Sequence, residues 1–321
     1  MSQLTTSVLI PSYHRTESLE HCVTSLVDQT TPPGEVIIVW QADDAATEAT
    51  AAHLSRHLPV PITALHSETA GVVPAETVAK EAATGDVLLL IDDDATAPHD
   101  WIKRHLRHYE DSSVGAVGGP ADNFYPDGTP FPRRDAEPIG RLAWYGKLLG
   151  NMYDQPIAWR ERPPIDVHHL VGFNMSMRRS AVAKFEGGLR PYWQNFEVDA
   201  CLQIAAAGYR VVFDYGIVIN HYPLNQAYTE GRDGDLQIKV LNAAYNRSFV
   251  LAKWSPWYLR LPRLAYAFTI GSVGQPGLLG SLVAWQRFGN ISLELRLLAQ
   301  TWSSHAAGWA NGSRARHGLN R

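Results

Sequence analysis

Residues 85–101 read GDVLLLIDDDATAPHDW. A Gly-Asp turn opens the stretch. Val87, Leu88, Leu89, Leu90 and Ile91 follow without interruption, and three carboxylates, Asp92, Asp93 and Asp94, close it. A short apolar run between turn residues suits a strand covered on both faces, as in a parallel sheet. Three like charges at the tip of such a strand raise one another's pKa unless a cation compensates. Mg2+ and Mn2+ take carboxylate oxygens and also carry phosphate groups. In open α/β sheets, ligands gather beyond the carboxyl ends of the strands. The stretch therefore predicts a metal and diphosphate site at Asp92, Asp93 and Asp94. A competing reading makes Asp94 the N-cap of a helix starting near Pro98, but one Asp would serve that purpose.

Upstream of this strand the chain alternates strand and helix. Residues 7–10 and 35–40 read as strands, each followed by a loop and a helix with apolar residues at helical spacing. Residues 59–66 make a third strand and 75–83 a helix that Gly85 stops. This repetition implies a parallel sheet with crossover helices. The first strand lacks G-x-G-x-x-G, so the dinucleotide fingerprint is absent. Downstream, 99–109 reads as a helix and 114–119 as a strand. Residues 120–168, rich in proline and aromatics, read as an excursion holding one helix near 139–152. Residues 170–177 return as a strand, and Asn195-Phe196-Glu197-Val198-Asp199 opens a helix that Gly208 ends. Short strands at 209–213 and 217–220 lead to His221.

The chain has 321 residues, enough for one large α/β domain with an appendage or for two small domains. Hydrophobic residues at 45% and charged residues at 19% are ordinary for a globular protein. Cys22 and Cys201 lie in helix-like apolar patterns and read as buried free thiols in a reducing compartment. The N-terminus has only a four-residue apolar run and reads as a first strand rather than a signal peptide. No window approaches the length of a spanning helix.

The quoted motifs form an order: SVLIPSYHR, IIVWQADD, a Gly-Asp strand ending in three Asp, GFNMSMRR, EVDACLQIAAAGYRVVFD, and a strand ending in His221. In that order they resemble family 2 glycosyltransferases over roughly residues 5–225. The resemblance implies the GT-A fold: a Rossmann-like, mostly parallel sheet flanked by helices, here with a helical C-terminal extension. The expected division is a catalytic domain at 1–225, with a nucleotide-sugar half at 1–119 and an acceptor and base half at 120–225, then a basic, aromatic-rich region at 226–321.

The resemblance also implies roles. Pro11, Tyr13 and Arg15 match the loop lining the nucleotide pocket, and Asp43 and Asp44 the acidic pair that contacts base and ribose. Asp92 and Asp94 match the outer members of D-x-D, the first facing the nucleoside and the last the metal. Asp93 is counted with the donor-binding residues. Gly172 and Asn174 match the glycine loop near the donor sugar, and His221 a histidine near the metal or diphosphate. Glu197 and Asp199 match the acidic motif carrying the catalytic base, with Glu197 preferred and Asp199 second. The implied partners are a UDP-, GDP- or dTDP-sugar, a hydroxyl acceptor, and Mn2+ or Mg2+. Inverting transfer needs such a base and a compensated leaving group. After Gly71, where the family usually has Arg-Asn, this chain has Glu76 and Thr77, and an acid there would not help a diphosphate. Gln203 stands where Arg is common. The alternatives are a non-catalytic scaffold of the same fold and a sugar nucleotidyltransferase, the latter disfavoured because PSYHR has no glycine.

Trp193, just before the acidic motif, is the preferred acceptor-stacking residue, ahead of Trp144 and Trp159. His168-His169 is not a metal pair if the two point to opposite faces of a strand. No nucleic-acid partner is expected. Net charge is −4, yet residues 247–321 hold nine basic residues against Glu294 alone. That segment also carries Trp254, Trp257, Trp285, Trp302 and Trp309. Amphipathic helices in the headgroup plane of an anionic membrane would use both features. The competing reading packs these aromatics on the catalytic domain or in a homodimer interface. The expected location is cytoplasmic, peripheral on the inner face of the cell membrane.

Overall fold

The computed structural model describes residues 4–135, 137–190, 195–223, 236–272, 275–288 and 291–319. Four parallel strands form its first half: β1 (Thr6–Ser12), β2 (Glu35–Gln41), β3 (Ile62–Ser67) and β4 (Val87–Ile91), in spatial order β4-β1-β2-β3. Helices α1 (Thr16–Val27), α2 (Ala45–His57) and α3 (Val72–Ala82) make the crossovers. All five residues of β4 are buried, as its unbroken apolar run predicts. Burying each of its leucines contributes roughly 1.5–3 kcal/mol.

The second half extends this sheet. After β5 (Ala95–Thr96) and α4 (Trp101–His108) come β6 (Val114–Gly118) and β7 (Ala121–Asn123). Then follow β8 (Arg141–Leu142), β9 (Leu148–Leu149), β10 (Ile165–Asp166), β11 (Asn174–Arg178), α5 (Phe196–Ala206), β12 (Arg210–Phe213) and β13 (Ile219–His221). The large sheet has eight strands in the order β10-β12-β6-β11-β4-β1-β2-β3, with β11 antiparallel to both its neighbours. A second sheet, β5-β13-β7, crosses the end of β4.

The excursion is corrected in one respect. Residues 139–152 form no helix: β8 and β9 pair as an antiparallel hairpin. Gly140, Gly146 and Gly150 all have positive φ, at 57°, 97° and 104°. Three such glycines break helical continuity and close turns instead. Downstream, α5 begins at Asn195 in the left-handed region (φ 96°) and ends before Gly208, also left-handed (φ 90°). Cys22 and Cys201 are buried free thiols.

The C-terminal part is helical: α6 (Leu236–Trp254), α7 (Trp257–Thr269), a β14–β15 turn (Gly271–Ser272, Gln275–Pro276), α8 (Leu278–Phe288) and α9 (Ile291–Leu319). α9 lies along α6. A Cβ on Gly308 or Gly312 would fall 2.2 or 2.1 Å from the carbonyl oxygens of Tyr245 and Phe249. The glycines thus let the two backbones touch. α6 also packs on the α/β part of the chain, where Asn246 brackets Arg190 with two hydrogen bonds of 2.7 and 3.0 Å.

Candidate active site

The three carboxylates at the end of β4 diverge. Asp93 turns inward and accepts from the Ser12 hydroxyl at 2.8 Å and the Arg15 guanidinium at 3.0 Å. The same Arg15 nitrogen reaches Asp94 at 2.5 Å. Arg15 is thereby bound between two acids; their charges outweigh its burial and raise its pKa. Asp92 is half-buried, and burial, then the Asp94 charge, push its pKa up to about 6.

His221 arrives from far along the chain. In the small sheet His221 pairs with Ala95 and Asn220 with Thr96, so the imidazole lands beside the Asp tip. Its Nε2 lies 3.1 Å from Asp94 Oδ1. Its Nδ1 lies 2.6 Å from Asn123 Oδ1 and donates there, since that oxygen only accepts. Asn123 is itself clamped: its N–H and side-chain amide donate to the two oxygens of Asp154, at 2.7 and 2.8 Å. The chain Asp154–Asn123–His221 fixes the ring and directs Nε2 into the site. The hydrogen bond and charge of Asp94 raise the His221 pKa against the effect of burial.

Asp92, Asp94 and His221 each offer one ligand atom, all within 4.8 Å of one another. Two carboxylate oxygens and one imidazole nitrogen suit Mn2+, with Mg2+ a harder alternative. The donor set therefore fits the implied metal. It also brings Asp92, expected on the nucleoside side, within reach of the same ion.

Glu197 and Asp199, two residues apart on α5, have different surroundings. Glu197 is buried, its Oε2 held by the Asn195 N–H at 3.0 Å. Burial pushes its pKa up to about 7, with the Asp92 charge adding to the shift. A carboxylate with that pKa is suited to general base work near neutrality. Asp199, expected as the second base candidate, is also buried. Lys253 Nζ meets both its oxygens, at 2.9 and 3.0 Å, and the Trp254 indole donates to one of them at 2.6 Å.

Three more expected site residues have structural tasks. Asp44 caps α2, accepting from the Thr47 N–H at 3.1 Å and hydroxyl at 2.5 Å, and also holds the His14 N–H. Asp43, beside it, is exposed. Asn174 is buried. Its amide nitrogen donates to the Pro120 and Ile217 carbonyls, and its oxygen accepts from the Trp101 indole at 2.8 Å. Gly172 touches α5: a Cβ there would lie 2.9 Å from Phe196 Cζ and 3.3 Å from Glu197 Cγ. Pro11 is buried within β1, and Tyr13 lies against His14 with ring centroids 4.0 Å apart. Trp193 lies outside the described residues. Trp144 is exposed, and Trp159 lies under the Arg162 guanidinium at 3.9 Å.

Glu76, on α3, is buried. Burial, then the charges of Asp92 and Glu197, push its pKa up to about 8. A shift in that direction favours the neutral carboxyl, which adds no charge against a diphosphate. Its Oε2 has no hydrogen-bond partner. Two residues received no role from sequence: Asn123 and Asp154 carry no motif, and only the pairing of β7 with β13 reveals them.

The fold is that of the GT-A glycosyltransferases. GalNAc-T7 with UDP, GalNAc and Mn2+ superposes with a TM-score of 0.61 at 16% identity, over 95% of this chain and 58% of that one. The mannosyltransferase PcManGT from Pyrobaculum calidifontis, in complex with GDP-Man and Mn2+, also reaches 0.61 at 18% identity, over 100% and 89%. The sequence profile of Glycosyl transferase family 2 matches residues 7–185, and the chain belongs to that family. Two relatives come from Haloferax volcanii. Glycosyltransferase AglE is 27% identical over 124 residues, 38% of this chain and 41% of its own length. A glucosyl-dolichyl phosphate glucuronosyltransferase is 34% identical over 118 residues, 35% of this chain and 37% of its own. The chain thus matches about two fifths of the length of each.

Proposed function

We propose that the protein is an inverting, divalent-metal-dependent transferase. In this reading it moves a sugar from a nucleotide diphosphate donor of the UDP, GDP or dTDP type to the hydroxyl of a glycan, glycolipid or small molecule. One observation carries the proposal: Asp92, Asp94 and His221 converge, and the buried Glu197, near enough to feel the Asp92 charge, has its pKa pushed up to about 7. Glu197 takes the proton of the acceptor hydroxyl as that oxygen attacks the anomeric carbon. The bond to the diphosphate breaks, and the nucleoside diphosphate departs from the opposite face. Asp92, Asp94 and His221 would hold Mn2+ or Mg2+, which when bound compensates the charge of the leaving diphosphate. Arg15, already between two acids at the same tip, is within reach to share that task. Burial holds Glu76, the other nearby carboxyl, well above the ordinary carboxylate range, which makes it a poor nucleophile and favours single displacement over a covalent intermediate.

The test is a thermal-shift and hydrolysis panel of UDP-, GDP- and dTDP-sugars, with and without Mn2+. Stabilisation by one nucleotide class, turnover abolished by EDTA, and an inverted anomeric configuration in the product are expected. Metal-independent turnover, or retention of the donor's configuration, would refute the reading.

The membrane reading needs a different physical basis from the one its charge suggests. Arg247, Lys253 and Arg263 are buried, while Arg260 and Arg316 bond the Ala252 and Ser255 carbonyls. Much of the basic excess therefore serves internal contacts. The free feature is apolar. Trp257, Tyr258 and Leu261 on α7 are 82%, 61% and 75% exposed, and Leu279, Leu282 and Val283 on α8 are exposed as well. We propose peripheral attachment at the cytoplasmic face through these two helices, with interfacial Trp and Tyr. No described helix is long and apolar enough to cross a membrane.

A further inference from the structure

A cavity of about 210 Å3 lies between α5 and the β8–β9 hairpin. Glu197 and Asn195 form one wall, and His169 and Val171 another, while Leu148 and Met152 add apolar surface. His169 is 8% exposed, and its Nε2 has no hydrogen-bond partner. Its backbone is set by Gly140, whose carbonyl accepts from the His169 N–H at 3.3 Å. A Cβ on Gly140 would lie 2.7 Å from the His169 carbonyl oxygen. Burial holds the imidazole neutral, pushing its pKa down to about 4. A buried, neutral ring nitrogen without a protein partner, in a cavity that Glu197 also lines, gains from a bound polar group that offsets its lost hydration.

The walls indicate what that partner is. No Lys or Arg lines the cavity among the described residues. A phosphate placed there would face the Glu197 carboxylate in a low-dielectric pocket without compensation, which is strongly unfavourable. An uncharged pyranose suits it better. The C–H face of such a ring packs on Leu148, Met152 and Val171, and its hydroxyls can serve a ring nitrogen in either tautomer.

We propose that this cavity receives the uncharged terminal sugar of the acceptor, with one hydroxyl bonded to His169 Nε2 and the nucleophilic hydroxyl beside Glu197. This rests on the transferase reading above and narrows it: the enzyme extends an existing sugar rather than loading a lipid phosphate. In the step, the acceptor O–H gives its proton to Glu197, its oxygen bonds to the donor's anomeric carbon, and the nucleoside diphosphate leaves with the electron pair of the broken bond.

The experiment uses the full chain, Mn2+, and the nucleotide-sugar that the thermal-shift panel selects. Nucleotide release is followed with octyl β-glucoside, octyl β-galactoside, octyl α-mannoside and octyl N-acetyl-β-glucosaminide, and separately with farnesyl phosphate. At least one glycoside should accelerate release while farnesyl phosphate does not. For that glycoside, His169→Phe should raise KM about ten-fold, the loss expected of one neutral hydrogen bond, while nucleotide-induced stabilisation is kept. His169→Gln, which retains a polar group, should recover part of the loss. Faster turnover with farnesyl phosphate, acceleration by no glycoside, or an unchanged KM in His169→Phe would overturn the proposal. Absence of any Mn2+-dependent donor turnover would instead overturn the transferase reading itself.

Discussion

Lys253 Nζ, on α6, lies 2.9 and 3.0 Å from the two carboxylate oxygens of Asp199, on α5. It also meets Glu186 at 2.8 Å. The C-terminal helices are thereby bolted to the helix that carries Glu197, through a lysine only 5% exposed. Removing one partner of a buried ion pair leaves the other charge uncompensated. Lys253→Met is expected to lower unfolding stability by about 3–5 kcal/mol. Lys253→Met combined with Asp199→Leu should recover part of that. Urea denaturation of the single and double variants measures both. A single variant as stable as the parent would show that the pair contributes nothing.

Glu197→Gln keeps the shape of the base but cannot take a proton. Transfer should fall by ~10²-fold or more while nucleotide-sugar binding persists. Because burial pushes the Glu197 pKa up to about 7, the parental rate should rise with pH through that region and level off above it. The rising limb should be missing in the variant. A parental profile flat from mildly acid to mildly alkaline pH would contradict this assignment.

Asn123 donates nothing to the ligand set itself, yet it accepts the His221 Nδ1 proton at 2.6 Å and is clamped by Asp154. Partners of this kind typically account for 10–100-fold in metal affinity. Asn123→Ala should weaken Mn2+ binding by about that factor in calorimetry, and Asp94→Asn should weaken it further. Unchanged Mn2+ affinity in Asn123→Ala would mean the orientation of His221 is set elsewhere.

Glu76 makes stability depend on pH. Its folded pKa of about 8 lies above the ordinary 4.5, so in that window the folded state keeps a proton that the unfolded state has lost. The contribution is complete below 4.5 and is lost as pH rises toward 8, at about 1.4 kcal/mol per pH unit at most. Glu76→Gln has no such loss. Its Tm should gain on the parent between pH 5 and pH 8. A constant difference across that range would show that Glu76 is ionised in the folded state.

Membrane attachment through α7 and α8 should be apolar in character. Sedimentation with vesicles of mixed phosphatidylcholine and phosphatidylglycerol should retain the protein with only modest salt dependence, because Arg260 and Arg263 on α7 are engaged in internal hydrogen bonds. Trp257→Ala with Leu261→Asp should release it. Protein left in the supernatant at low salt would dispose of the idea.

Residues 85–101 were enough to establish a strand buried on both faces with acids at its carboxyl end, because apolar continuity and turn residues are local properties of the chain. The β-loop-α alternation, the left-handed stop at Gly208 and the buried thiols were legible for the same reason. The hairpin at 139–152 was not, although its three glycines offered a cue, because helical spacing and a hairpin can share one apolar count. Which acids are free was not legible either. Asp93 is occupied by Ser12 and Arg15, Asp44 by Thr47 and His14, and Asp199 by Lys253 and Trp254. Most of these partners lie tens of residues away, and sequence periodicity reports burial without naming the neighbour. His221 reaches Asp94 only because β13 pairs with β5, and the protonation of Glu76 depends on how deeply α3 buries it. The sequence by itself determined where the charges sit along the sheet. Only tertiary structure decided which are neutralised, which are protonated and which remain for chemistry, because desolvation and hydrogen bonding are set by groups brought together from distant parts of the chain.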